Sequence, residues 1–171
     1  MRKVFNIVVC IYILLASGSY AQKVHQLMPV ASKGETVIAT KSARLNVIVK
    51  IKTHEVQIEK PSDQRSDVIR TSCTYSRYPC SVVDGIDIAV NDEMIIIPRS
   101  VFCDLADLNT ADVKIGEKES ILTLTGGDAS ESYIVKISFD SEQVIRRVTA
   151  SAMLPDQPLQ EIIYHKRKLG D

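Results

Sequence analysis

Alternation of apolar and polar side chains with a period of two constrains this chain more than any other feature. Leu45, Val47, Val49 and Ile51 fall on one side of a run that places Arg44, Asn46, Lys50 and Lys52 on the other. Tyr133, Val135, Ile137 and Phe139 interleave with Ile134, Lys136 and Ser138, and Ile86, Ile88 and Val90 interleave with Asp87 and Ala89. Successive side chains of a strand point to opposite faces, so each run describes a strand with one dry and one wet face. One wet face is the mark of antiparallel sheets. Composition agrees: residues 22–171 hold 17 Ile and 15 Val against 9 Leu and 9 Ala, and β-branched side chains favour strands over helices.

On this basis strands are predicted at 35–40, 43–53, 55–60, 67–73, 85–90, 94–98, 111–115, 120–125, 132–139, 144–153 and 158–167. Asn91-Asp92-Glu93 and residues 140–143 read as hairpin connections, and Gly126-Gly127-Asp128 starts a further reversal. Met94-Ile95-Ile96-Ile97 reads as the most buried segment, guarded by Asp92, Glu93, Pro98 and Arg99. Residues 60–67 form a polar loop, but neither flank is long enough to be a separate domain. The expectation is an all-β chain, or a β-rich one with a short helix near Ser100–Leu108. Its architecture would be an antiparallel β-sandwich or squat barrel: a loosely ordered lead-in at 22–34, then a single domain at 35–171.

The first 21 residues read as a secretory signal peptide. Arg2 and Lys3 supply a positive start, Val4 to Ala16 is an apolar run of 13 broken only by Asn6, and Ser19-Tyr20-Ala21 suits cleavage after Ala21. Such a run spans about 20 Å as a helix, short of a hydrocarbon core of about 30 Å, so it does not read as an anchor. The chain is therefore expected to be periplasmic or secreted, with no membrane span in its mature part. Removing Arg2 and Lys3 leaves 19 basic against 21 acidic residues, and this near-neutral balance argues against a nucleic-acid partner or an anionic membrane surface.

Export changes how the cysteines read. Losing Cys10 leaves Cys73, Cys80 and Cys103, and an oxidising compartment favours one disulfide with one thiol over. Cys73 and Cys80 bracket a short turn-prone loop and are the favoured pair. Cys103 lies off the face shared by Val101, Phe102, Leu105 and Leu108, so pairing of Cys103 with Cys73 or Cys80 stays open. Three thiols without a fourth ligand do not close a zinc site.

Catalytic patterns are sparse. His25, His54 and His165 stand apart from any G-x-S-x-G, and Ser130 and Ser132 lack the following glycine of a nucleophile elbow. Asp104, Asp107, Asn109 and Asp112 cluster within nine residues but match no calcium-loop spacing. No catalytic residue, metal or cofactor is assigned. Arg146-Arg147 sits in a strand, and without a bulge Arg146 shares the face of Val144, Val148 and Ala150 and needs an internal acid.

The segment from Gly126 to Tyr133 is the most distinctive connection, and Asp128, Ser130 and Glu131 are its candidate partner-binding residues. The leading functional reading is an exported binding module acting by protein–protein contact in the cell envelope, one version being an inhibitor or neutraliser of a hydrolase or toxin. Its partner would be an envelope or secreted protein. The alternatives are an envelope hydrolase using carboxylates assembled across the sheet and a structural envelope component. Enzymatic activity is the less favoured class.

Overall fold

A computed structural model of the chain describes residues 27–57, 73–74, 77 and 79–166. The alternating runs become ten strands: β1 (Met28–Pro29), β2 (Gly34–Lys41), β3 (Asn46–Val56), β4 (Cys80–Val90), β5 (Glu93–Met94), β6 (Leu108–Lys114), β7 (Ser120–Gly126), β8 (Tyr133–Phe139), β9 (Val144–Ser151) and β10 (Pro158–Ile163). They form two antiparallel sheets, one of six strands in the order β1-β6-β7-β8-β9-β10 and one of four in the order β2-β3-β4-β5. Among the described residues neither sheet closes on itself, only isolated bridges (Val82 to Ala106, Ile96 to Gln143) joining their margins, so the fold is a sandwich and not a closed barrel. Part of the expected lead-in, Met28–Pro29, pairs with β6, and the chain then crosses between the sheets to enter β2.

The core lies between the facing sides. Val47, Val49, Ile51 and Ile88 from the smaller sheet meet Leu122, Leu124, Val135, Ile137 and Phe139 from the larger, all fully buried. Each such side chain contributes about 1.5–3 kcal/mol by leaving water. Opposite these, the outward residues of β3 are Lys50, Lys52 and His54, the polar half of the alternation.

Four departures from the sequence reading have local causes. The break expected at residues 53–55 is absent: β3 runs straight through, and the irregularity sits on β4, where Asp84 bulges between Val83 and Gly85. His54 is therefore a strand residue. The run Met94–Ile97 is not deeply buried. It lies on a sheet edge, where Ile95 points inward at 6% exposure while Met94 and Ile96 stand 61% and 72% exposed. The short helix shrinks to a 3-10 turn at Arg99–Val101, although Val101, Phe102, Leu105 and Leu108 are buried together as anticipated. Finally, Ile145 bulges out of the β8–β9 ladder, which reverses the faces beyond it. Arg147, not Arg146, enters the interior.

The proposed leader, His25, the polar loop at 60–67, the strand expected at 67–73 up to Cys73 and the basic tail beyond Lys166 lie outside the described residues. Among the described residues no helix is long and apolar enough to cross a membrane.

Candidate functional site

Antiparallel pairing brings the starts of β4, β6, β8 and β10 to the same end of the sandwich as the finishes of β7 and β9. The two features singled out in the sequence meet there. Cys73 and Cys80 form a disulfide, and Cys103 is a free, exposed thiol.

Asp107 joins the disulfide loop to the 126–132 turn. Its carboxylate accepts the Thr74 N–H at 2.7 Å and the Ser81 N–H at 2.9 Å, both buried. Its own N–H donates to the Ser81 carbonyl at 2.6 Å, and its carbonyl accepts from Gly127 N at 3.1 Å and from Arg77 Nη1 at 3.3 Å. Asp107 holds φ at 48°, a left-handed conformation that Asp tolerates better than most residues. Two residues on, Asn109 bulges from the β6–β7 ladder. The bulge aims its amide so that Nδ2 donates to the Gly127 carbonyl at 2.8 Å while Oδ1 accepts from Arg77 Nη2 at 2.7 Å. Disulfide loop, β6 entry and glycine turn are thus one hydrogen-bonded unit.

The turn itself needs both glycines. Gly127 has φ of +74°, and a Cβ there would collide with the Glu131 carbonyl, while a Cβ on Gly126 would strike the Tyr133 ring. The Tyr133 hydroxyl donates to the Ala106 carbonyl, closing the floor beneath the turn. Asp128, Ser130 and Glu131 then project into solvent around a 3-10 turn at Ala129–Glu131, braced by Ser132 Oγ on the Ala129 carbonyl at 2.7 Å.

Sequence reasoning missed the neighbour of this loop. Ala152 N donates to the Ser132 carbonyl at 3.0 Å, so the β9–β10 connection lies alongside it. That connection and β10 expose Met153 at 70%, Leu154 at 54%, Leu159 at 73% and Ile163 at 59%. The cause is a mismatch of widths: the larger sheet has two strands more than the smaller, and β10 is exposed at five of its six positions. Residues 126–133 and 148–163 contain Asp128, Glu131, Asp156 and Glu161 and neither Lys nor Arg. These two segments are therefore apolar with acidic flanks.

The remaining acids are committed elsewhere. The cluster at 104–112 disperses: Asp104 pairs with Arg147, Asp107 holds backbone N–H groups, and Asn109 binds Arg77. Asp112 lies on the outer face of the larger sheet in a hollow of about 380 Å³ that it shares with Lys114 and Lys136. Cys73, Cys80 and Asp107 bring potential ligand atoms within 4.8 Å of one another, but the sulfurs are bonded to each other and both carboxylate oxygens already accept N–H groups. A hollow of about 390 Å³ between Asp84–Asp87 of β4 and Met94, Ile97 and Phe102 contains two carboxylates. Each has a basic side chain beside it: His54 Nδ1 lies 2.7 Å from Asp84, and Lys52 lies 2.9 Å from Asp87. The hydrogen bond to Asp87 holds the Lys52 ammonium above its ordinary pKa.

No family model matches the chain, and neither do any curated protein or any solved structure.

Proposed function

We propose that this chain is an exported binding module that works by protein–protein contact, using the end of the sandwich where the 126–132 turn meets the β9–β10 connection. The observation that carries the reading is the exposure of Met153 and Leu154 beside Asp128 and Glu131, on loops anchored through Asp107, Ser132 and Ala152. Apolar side chains held in water on a braced, charge-edged surface are the usual composition of a contact site. The anchoring matters energetically, because a surface ordered before binding loses less entropy on association.

The signal-like first 21 residues and the Cys73–Cys80 disulfide both favour an oxidising compartment, the periplasm or the exterior. The target would be an envelope or secreted protein, and inhibition or neutralisation of a hydrolase or toxin is one concrete form. The carboxylate pair in the β4 hollow favours a hydrolase less, because each acid is already engaged by a side chain of β3.

The test is affinity capture from envelope extract, using the chain expressed with its leader and recovered under non-reducing conditions. One stoichiometric partner is expected, lost when Met153→Asp or Asp128→Ala with Glu131→Ala is used as bait. A partner retained by both baits would remove this end from consideration, and an empty capture on folded bait would count against protein contact as the function.

A further inference from the structure

We infer that oxidation of Cys73 and Cys80 acts as a latch on the contact surface: closing their loop sets Arg77 against Asn109, and only then is the 126–132 turn held in one shape. This rests on the contact reading above and adds how that surface is regulated.

The bond lies apart from the main core. Cys73, Cys80 and Ala106 form a small buried cluster with Val82 packed against it, separate from the cluster that fills the space between the sheets. Opening the bond therefore leaves the inward faces of β3, β7 and β8 as buried as before. What it frees is local. Cys80 opens β4 and is paired with Val56, and the bridge holds the Cys73 Cα 5.7 Å from that of Cys80. Cross-linking so short a loop removes conformational freedom that its residues have when it is open.

Arg77 carries the effect from the loop to the turn. Its backbone N–H donates to the Thr74 carbonyl at 3.1 Å, within the loop. Its guanidinium donates to Asn109 Oδ1 at 2.7 Å and to the Asp107 carbonyl at 3.3 Å. Asn109 in turn donates to the Gly127 carbonyl at 2.8 Å, and the Gly127 N–H donates to the same Asp107 carbonyl at 3.1 Å. Both backbone polar groups of Gly127 are thus held by the two residues that Arg77 engages, immediately before Asp128, Ser130 and Glu131. With the loop open, keeping the long Arg77 side chain in place costs more entropy, and Asn109 and Gly127 lose their brace.

Formation of the bond consumes two thiols and needs an oxidant of the disulfide class, a dithiol–disulfide oxidoreductase or oxidised glutathione. One cysteine thiolate attacks the oxidant's disulfide, and the other displaces the resulting mixed disulfide. The oxidant leaves as two thiols, carrying the two electrons and two protons. Both sulfurs are then buried beside Asp107, which slows the reverse exchange. The latch is therefore set once, on entry to an oxidising space, and is not a rapid sensor.

The experiment follows amide exchange residue by residue in the oxidised chain, and again after reduction in denaturant and refolding with dithiothreitol present. Cys103→Ser is used in both, so that the exposed thiol takes no part. Exchange at Gly127 is expected to be about tenfold or more faster in the reduced chain, with β7 and β8 still protected, and oxidised glutathione should restore it. Arg77→Gln keeps the bond and removes the brace. It should speed Gly127 comparably while Thr74 and Ser81, held by the Asp107 carboxylate, stay protected.

Unchanged Gly127 exchange in either the reduced chain or Arg77→Gln would overturn the latch. So would loss of protection in β7 and β8 on reduction, which would make the bond a staple of the whole fold. A partner captured equally by oxidised and reduced chains would defeat this inference and leave the contact reading standing. An empty capture beside a redox-dependent Gly127 would do the reverse.

Discussion

Arg147 places its guanidinium 2.7 Å from the Asp104 carboxylate, across the sandwich, with the arginine side chain 3% exposed and the aspartate 38%. A second N–H of the same group reaches the Ser100 carbonyl at 3.2 Å. The partners therefore lose unequally when one is removed. Asp104→Ala leaves a cation in the interior and is expected to cost about 3 kcal/mol or more. Arg147→Met fills the space with apolar volume and leaves a carboxylate that is partly in water, so the expected cost is smaller, about 1–2 kcal/mol. Urea unfolding followed by circular dichroism measures both, and equal losses would show that the pair is not the desolvated contact it is taken for.

Asp107 allows a sharper test, because its two oxygens accept two different backbone N–H groups, those of Thr74 and Ser81. Asp107→Asn keeps the shape but replaces one acceptor by a donor that faces an N–H. It is expected to cost about 2–3 kcal/mol, close to Asp107→Ala, and to speed amide exchange at Thr74 and Ser81. Near-neutral behaviour of the asparagine variant would mean that the carboxylate is not the organising group at this end.

Alternation in the sequence was enough to locate most of the strands and the antiparallel all-β class, because a period of two is a local property, and paired glycines marked the 126–132 turn; a sandwich and a squat barrel both stayed open. What it could not place were the consequences of single-residue bulges. Ile145 reverses the faces of β9 and so exchanges Arg146 for Arg147, and Asp84 lets β3 run past the expected break. Nor could it say which apolar residues the partner sheet covers. Met153 and Leu159 fall within predicted strands, yet Met153 lies in the β9–β10 connection and Leu159 on an edge strand of the wider sheet, and both stand in water. The disulfide was legible from loop length, but the role of Asp107 beneath it was not, since its partners lie 26 and 33 residues away.

Two hydrophobic truncations separate the buried face from the edge. Phe139→Ala and Ile137→Ala remove side chains with no exposure and should each cost about 2–5 kcal/mol. Ile96→Ala sits in the run that reads as most buried in sequence, yet its side chain is 72% exposed, and it should change stability by less than about 0.5 kcal/mol. Thermal melts of the three variants decide the register: a silent Phe139→Ala or a costly Ile96→Ala would place the edge of the smaller sheet elsewhere.

Thiol chemistry tests the remaining geometry. Cys73 and Cys80 are bonded to each other and buried, whereas Cys103 is exposed and free. With the leader removed, the native, unreduced protein should therefore show one reactive thiol, and denaturation without reductant should add none. Mild reductant should open the Cys73–Cys80 bond slowly in the native state. The attacking thiolate has no easy access, and the departing sulfur would acquire its negative charge near the Asp107 carboxylate, within the 4.8 Å cluster that the three groups form. Denaturant removes both obstacles, so reduction should become fast there. Rapid native reduction would indicate that the loop opens on its own, and loss of the Cys103 signal with a doubled mass would indicate a bridge between chains.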